Sequence, residues 1–173
     1  MRPLFGALGA ALVMLVPVQP AVAVPDGPLR PYLEHLEPFA LAWPADGTVT
    51  DGFGPRWGRM HLGVDIGILR SLDVRAAASG TVAEVGYLTG FEGYGNVVIV
   101  DFGDGYSGLY AHLTSASVTH GEWLDAGDSV GVAGCTGSCT GTHLHFELRR
   151  HGLPIDPSPY LTGFFEGRSP PIG

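Results

Sequence analysis

The chain has 173 residues, enough for one domain with a sizeable core, and 45% hydrophobic against 15% charged residues excludes a disordered polymer. Nine arginines, no lysine and seventeen acids give a net charge of −8. That balance excludes the basic stripe of a nucleic-acid binder and leaves any anionic partner to be held by local contacts.

In chain order, residues 1–23 read as a secretory signal peptide. Arg2 supplies positive charge, residues 4–16 form an apolar run too short to span a membrane comfortably, and Ala21-Val22-Ala23 is a small-x-small cleavage site. No cysteine follows the run, so a lipid-modified start is not expected, and no membrane span remains after cleavage. Residues 24–42 are Pro-rich and are read as an arm or linker, with a helical turn expected over 32–37. From Trp43 the texture changes to short apolar runs between Gly-rich turns, which predicts an all-β domain over 43–161. Strands are expected at 48–51, 61–66, 80–87, 96–102, 106–113, 129–133 and 142–149. Asp104-Gly105 is a two-residue hairpin signal, and 126–128 and 137–141 mark further turns. The sequence turns Pro/Gly-rich again from Ser158, and 162–173 is read as a tail.

Three of these strands carry chemistry. In THLHFELR (142–149) the alternation puts His143, His145 and Glu147 on one face and Leu144, Phe146 and Leu148 on the other. In HLGVD (61–65), His61, Gly63 and Asp65 are expected to share a face, with Leu62, Val64 and Ile66 toward the core. The two glycines at 63 and 67 and the β-branched residues disfavour a helix, and Gly63 is expected to leave open space for a metal. In YSGLYAHL (106–113), Tyr106, Gly108, Tyr110 and His112 are expected to share a face, with Gly108 leaving room beside the histidine. His61, Asp65 and one of His143 or His145 form a three-ligand set of the kind that binds catalytic zinc and leaves a fourth position to water. Strand spacing does not choose between the two histidines. His35, His120 and His151 lack such settings and are read as solvated.

The sequence lacks an H-E-x-x-H helix, a C-x-x-C pair, a G-x-S-x-G elbow and a phosphate-binding loop. Cys135 and Cys139 flank a short loop and are expected to form a disulfide in an exported protein. Such a small loop gains little chain entropy from crosslinking, so the expected effect is local stiffening of the wall beside the histidines.

HLGVD at 61–65, YGNVVIV at 94–100, YAHL at 110–113 and GTHLHFEL at 141–148, in this order, resemble the M23 family of zinc metallopeptidases, the lysostaphin/LytM type. The resemblance runs from about Trp43 to Leu161. It implies a compact antiparallel, β-sandwich-like fold with an open groove carrying the zinc. It makes His61, Asp65 and His145 the zinc ligands and His112 and His143 the catalytic histidines. The division preferred here has His143 as general base and His112 as oxyanion donor, with the reverse open. Glu147 is expected to orient a ligand, and Tyr94, Tyr106 and Tyr110 to line the groove.

The implied substrate is the peptide part of peptidoglycan, its stems and cross-bridges, cut by a secreted or envelope-associated monomer. The alternative is a catalytically inactive LytM-like module that binds the wall or activates an amidase; the complete ligand set argues against it. Glu34 and His35 in the arm suggest a segment that covers the metal and keeps the enzyme latent. The chain departs from the family pattern at the two cysteines, at LRSLDVR (69–75) and in carrying no evident wall-targeting module.

Overall fold

A computed structural model describes residues 39–163. The signal, most of the arm with Glu34 and His35, and the end of the tail lie outside the described residues. Among those described there are fifteen strands and one 3₁₀ turn at Glu92–Tyr94, with no α-helix. The strands begin with β1 (Leu41–Ala42), β2 (Thr48–Asp51), β3 (Gly54–Arg56), β4 (Arg59–His61), β5 (Val64–Gly67), β6 (Asp73–Arg75) and β7 (Gly80–Tyr87). They continue with β8 (Asn96–Gly103), β9 (Tyr106–Leu113), β10 (Ser115–Ala116), β11 (Trp123–Leu124), β12 (Ser129–Val132), β13 (Leu144–Arg150), β14 (Leu153–Ile155) and β15 (Leu161–Gly163).

The main sheet runs β11-β7-β8-β9-β13-β5-β2, with β14 also on β13, and all its pairs are antiparallel. The β8–β9 turn carries Asp104 at φ 51° and Gly105 at φ 78°, both left-handed, as a type I′ hairpin demands. A second sheet, β10-β12-β6, contributes Val74 and Val130 to one core with Val64, Ile66, Val98, Tyr110, Leu144, Phe146 and Leu148 of the main sheet. Each of these is essentially fully buried, and full burial of one Val, Leu, Ile or Phe contributes roughly 1.5–3 kcal/mol. The opposite face of the main sheet carries a smaller cluster, Val97, Leu109 and Ala111, under Leu88, Phe91 and Tyr94.

The arm and tail are not wholly separate from this core. Leu41, in the segment read as a linker, is fully buried, and β1 pairs in parallel with β15. A two-residue strand carries too little pattern to be read from sequence.

The strand expected at 61–66 is broken. β4 ends at His61 and pairs with β3, whereas β5 starts at Val64 and pairs with β13 and β2. Leu62 falls in the break and lines a surface groove instead of entering the core. Gly63 is also not a space for a metal. A Cβ there would lie 2.3 Å from the Phe146 carbonyl oxygen and 3.0 Å from Glu147 Cγ, so the missing side chain lets the chain pass against β13. Gly63→Ala is therefore expected to destabilise the fold by about 1–3 kcal/mol or more, read as a lower urea midpoint. An unchanged midpoint would show that β13 yields at this contact. Gly108 is likewise no opening, since a Cβ there would meet Phe102 at 2.6 Å.

Candidate metal centre

β5, β13 and β9 lie side by side, with His145 opposite Asp65 on one neighbour and Ala111 on the other. Because direct cross-strand partners share a face, this register alone puts Asp65 and His145 together. His61 reaches the same point from the end of β4. His61 Nε2 is 3.1 Å from Asp65 Oδ1 and 3.1 Å from His145 Nδ1, and His145 Nδ1 is 2.8 Å from Asp65 Oδ1. All three residues are buried.

The outer hydrogen bonds decide what faces inward. His61 Nδ1 donates to the Gly52 carbonyl at 2.6 Å, and His145 Nε2 lies 3.2 Å from Glu147 Oε1. With those protons turned outward, two imidazole lone pairs and one carboxylate oxygen converge, a repulsive arrangement unless a cation sits among them. Ligand atoms around a tetrahedral ion with ~2.0–2.1 Å bonds are about 3.3 Å apart. The observed separations of 2.8 to 3.1 Å come within about half an ångström of that, and the mixed N/O donor set suits zinc.

Glu147 is fully buried. It accepts a hydrogen bond from the Tyr94 hydroxyl at 2.6 Å and pairs with Arg149 at 2.7 Å. Burial opposes its charge, but the hydrogen bonds from His145 and Tyr94 and the Arg149 guanidinium outweigh it and hold its carboxyl below the usual range. Burial also opposes ionisation of Asp65, yet the hydrogen bond and charge of His145, with His61 and His143 nearby, bring its carboxyl down to about 2. Asp65 Oδ2, the oxygen turned away from the histidines, is 3.3 Å from Arg56.

His112 arrives by a route that strict alternation hides. Between the pairs Asn96↔Leu113 and Val98↔Tyr110, β8 spends one residue and β9 spends two, which is a β-bulge, and His112 sits in it at φ 61°. The bulge separates His112 from Tyr110, so the expected common face is not kept. His112 lines the groove with its ring 4.7 Å from that of His143 and 5.9 Å from that of His145. Its Nδ1 donates to the Thr136 carbonyl at 2.8 Å, and His143 Nδ1 donates to the Gly141 carbonyl at 2.7 Å. Nδ1 of each ring is thus engaged, and His143 Nε2 lies 3.7 Å from Asp65 Oδ1. Burial, with His143 and His145 adding to it, pushes His112 below the ordinary imidazole value against the opposing Thr136 contact.

The groove over these groups encloses about 450 Å³. Of the three tyrosines expected to line it, only Tyr94 does. Tyr110 is fully buried, accepting the Ala77 N–H at 2.8 Å, and Tyr106 stacks on Phe39 at 4.3 Å. Both lie on the core face of β9. His120 and His151 are exposed, as expected. Cys135 and Cys139 form a disulfide with Cα atoms 5.5 Å apart, closing the loop that presents the Thr136 carbonyl. Arg56 and the carbonyls of Gly52, Thr136 and Gly141 escaped the sequence reading. A backbone carbonyl has no side-chain signature, and a lone arginine in a short hairpin has no pattern.

The chain is similar to known proteins in sequence and in fold. The chain is 35% identical over 122 residues to the murein hydrolase activator NlpD of Salmonella dublin, covering 70% of this chain and 31% of that protein. It is 38% identical over 99 residues to the DD-carboxypeptidase/endopeptidase Mpg of Neisseria meningitidis, covering 57% and 22%. The chain thus spans about a fifth to a third of the length of these relatives. The structure of the antimicrobial peptidase lysostaphin from Staphylococcus simulans superposes with a TM-score of 0.63 at 31% identity, covering 71% of this chain and 52% of that one. Residues 59–157, which include His61, Asp65, His112, His143 and His145, match the model of peptidase family M23, and the chain belongs to that family.

Proposed function

We propose that the chain is a zinc metalloendopeptidase of the bacterial cell envelope that hydrolyses peptide cross-links of peptidoglycan. The observation that carries this reading is the convergence of His61, Asp65 and His145 beneath an open groove that His112 and His143 also line. In this reading residues 1–23 direct export and the catalytic domain spans 43–161.

His61 Nε2, Asp65 Oδ1 and His145 Nδ1 would hold the zinc, which would supply Lewis acidity to polarise a carbonyl and to lower the pKa of water toward ~7. The remaining work falls to the chain. His112, held neutral by burial and anchored through Nδ1, takes a proton at Nε2 as general base. His143, which is nearer solvent and anchored to Gly141, is the ring placed to donate to the developing oxyanion. This reverses the division preferred from sequence, because burial disfavours the charge that a donating His112 would need.

Glu147 fixes the His145 ring in the orientation that turns Nδ1 inward. Glu147→Gln is expected to weaken zinc affinity about 10–100-fold, as loss of such partners does. Zinc competition with a chelating dye reads the effect; unaltered affinity would remove Glu147 from the site.

The NlpD likeness supports a second reading, a module that activates another hydrolase, and the full set of ligands and groove histidines favours the first. The deciding experiment incubates zinc-loaded protein with purified peptidoglycan and identifies the fragments by mass spectrometry. New amino termini at one peptide bond are expected. Zinc-loaded protein that releases none, but stimulates an added amidase, would establish the second reading.

A further inference from the structure

The β3–β4 hairpin carries three features that the fold does not require. Trp57 occupies its two-residue turn at φ 45°, a left-handed position that favours Asn or Gly, and is 88% exposed. Met60, on the same hairpin, is 48% exposed. Arg59 lines the groove and is exposed, with no hydrogen-bond or ion-pair partner among the described residues. Its cross-strand neighbour Arg56 is already engaged by Asp51 and Asp65 and stacks on Trp57 at 5.2 Å. An indole in a strained turn, mostly turned to water beside a groove, gains little packing beyond its stack on Arg56. Such outliers concentrate where ligands bind.

The placement of Arg59 sets what it can meet. Arg59 and His61 are two apart on β4, so they share a face with Cα atoms roughly 6–7 Å apart. A guanidinium rooted there reaches groups one or two residues from a bond lying over the metal centre. It presents a planar fork of donors that fits a carboxylate. In a chain of net charge −8 the long-range field repels anionic peptides, so an anionic substrate needs such a local cation.

We propose that this hairpin is the specificity wall of the groove. Arg59 receives a free carboxylate on the peptide, one or two residues from the scissile amide, and Trp57 with Met60 covers the apolar part of the same residue. This rests on the peptidase reading and narrows its substrate class to peptides that are not amidated near the cut.

The test uses soluble muropeptides released from peptidoglycan by a muramidase, with their carboxylates intact or converted to amides. Cleavage is followed as kcat/KM, and binding by titration. The parent protein is expected to prefer the carboxylate form about tenfold to hundredfold, the range of a charge-assisted contact. Arg59→Gln should lose that preference, and Arg59→Lys should keep part of it. Trp57→Ala should weaken binding of both forms alike. A parent indifferent to amidation, or an Arg59→Gln chain that retains the preference, overturns the carboxylate contact. A Trp57→Ala chain that binds as tightly as the parent overturns the platform. If neither form is cleaved, the peptidase reading fails, and the carboxylate preference is still decided by the binding titration.

Discussion

A His145→Ala chain is expected to lose its zinc and with it all measurable peptidoglycan hydrolysis, while keeping its fold. His145 is the hub of the site. Its Nδ1 lies within 3.1 Å of both other inward-facing groups, and its Nε2 is the link to Glu147, Tyr94 and Arg149. Alanine removes one of the three proposed ligands and leaves Asp65 and His61 too few donors to hold the ion. The effect should therefore exceed the ~10–100-fold loss expected for Glu147→Gln. Fold retention follows from the position of the side chain on the face of β13 opposite Leu144, Phe146 and Leu148, which stay buried. Elemental analysis reads bound zinc directly. The melting temperature with added zinc gives an independent reading. A ligand that binds only the folded state stabilises it by about 2.7 kcal/mol at a hundred times its Kd. The parent should gain that increment and the variant should not. Stoichiometric zinc in His145→Ala would dismantle the proposed site.

The site was legible in the sequence wherever a strand runs without interruption. β13 is such a strand. Its period of two separates His145 and Glu147 from Leu144, Phe146 and Leu148, and the register on β5 then delivers Asp65 without further information. Legibility failed where the backbone departs from alternation. The bulge at His112 inserts one residue and changes the face of everything beyond it, so Tyr110 belongs to the core although it stands only two residues from a groove histidine. The break at Leu62 and Gly63 similarly moves a leucine from the expected core to the groove. Both features depend on pairing with a distant strand, β8 in one case and β13 in the other, and local periodicity carries no record of that partner. The family likeness supplied His112 where the pattern misassigned its face. It said nothing of Trp57 and Arg59.

Replacing His112 or His143 by alanine is expected to separate catalysis from metal binding. Neither ring belongs to the inward-facing trio, so zinc content should stay at the parent level in both variants. Hydrolysis should fall about 10²–10⁴-fold in His112→Ala, the usual worth of positioned acid–base assistance, and about 10²–10³-fold in His143→Ala, the usual worth of one oxyanion donor. The double variant should be little worse than the weaker single one, because groups serving the same transition state are not additive. The pH profile tells the two roles apart. Burial holds His112 below the ordinary imidazole value of 6.5, so the neutral, proton-accepting ring persists into mildly acid solution. The acid limb of kcat/KM in the parent should accordingly lie below pH 6.5, with rate lost as pH falls through the His112 value and the ring becomes charged. That limb should vanish in His112→Ala and survive in His143→Ala. An acid limb that survives in His112→Ala and disappears in His143→Ala would restore the opposite division of labour. Unchanged hydrolysis in both variants would place the chemistry on groups other than His112 and His143.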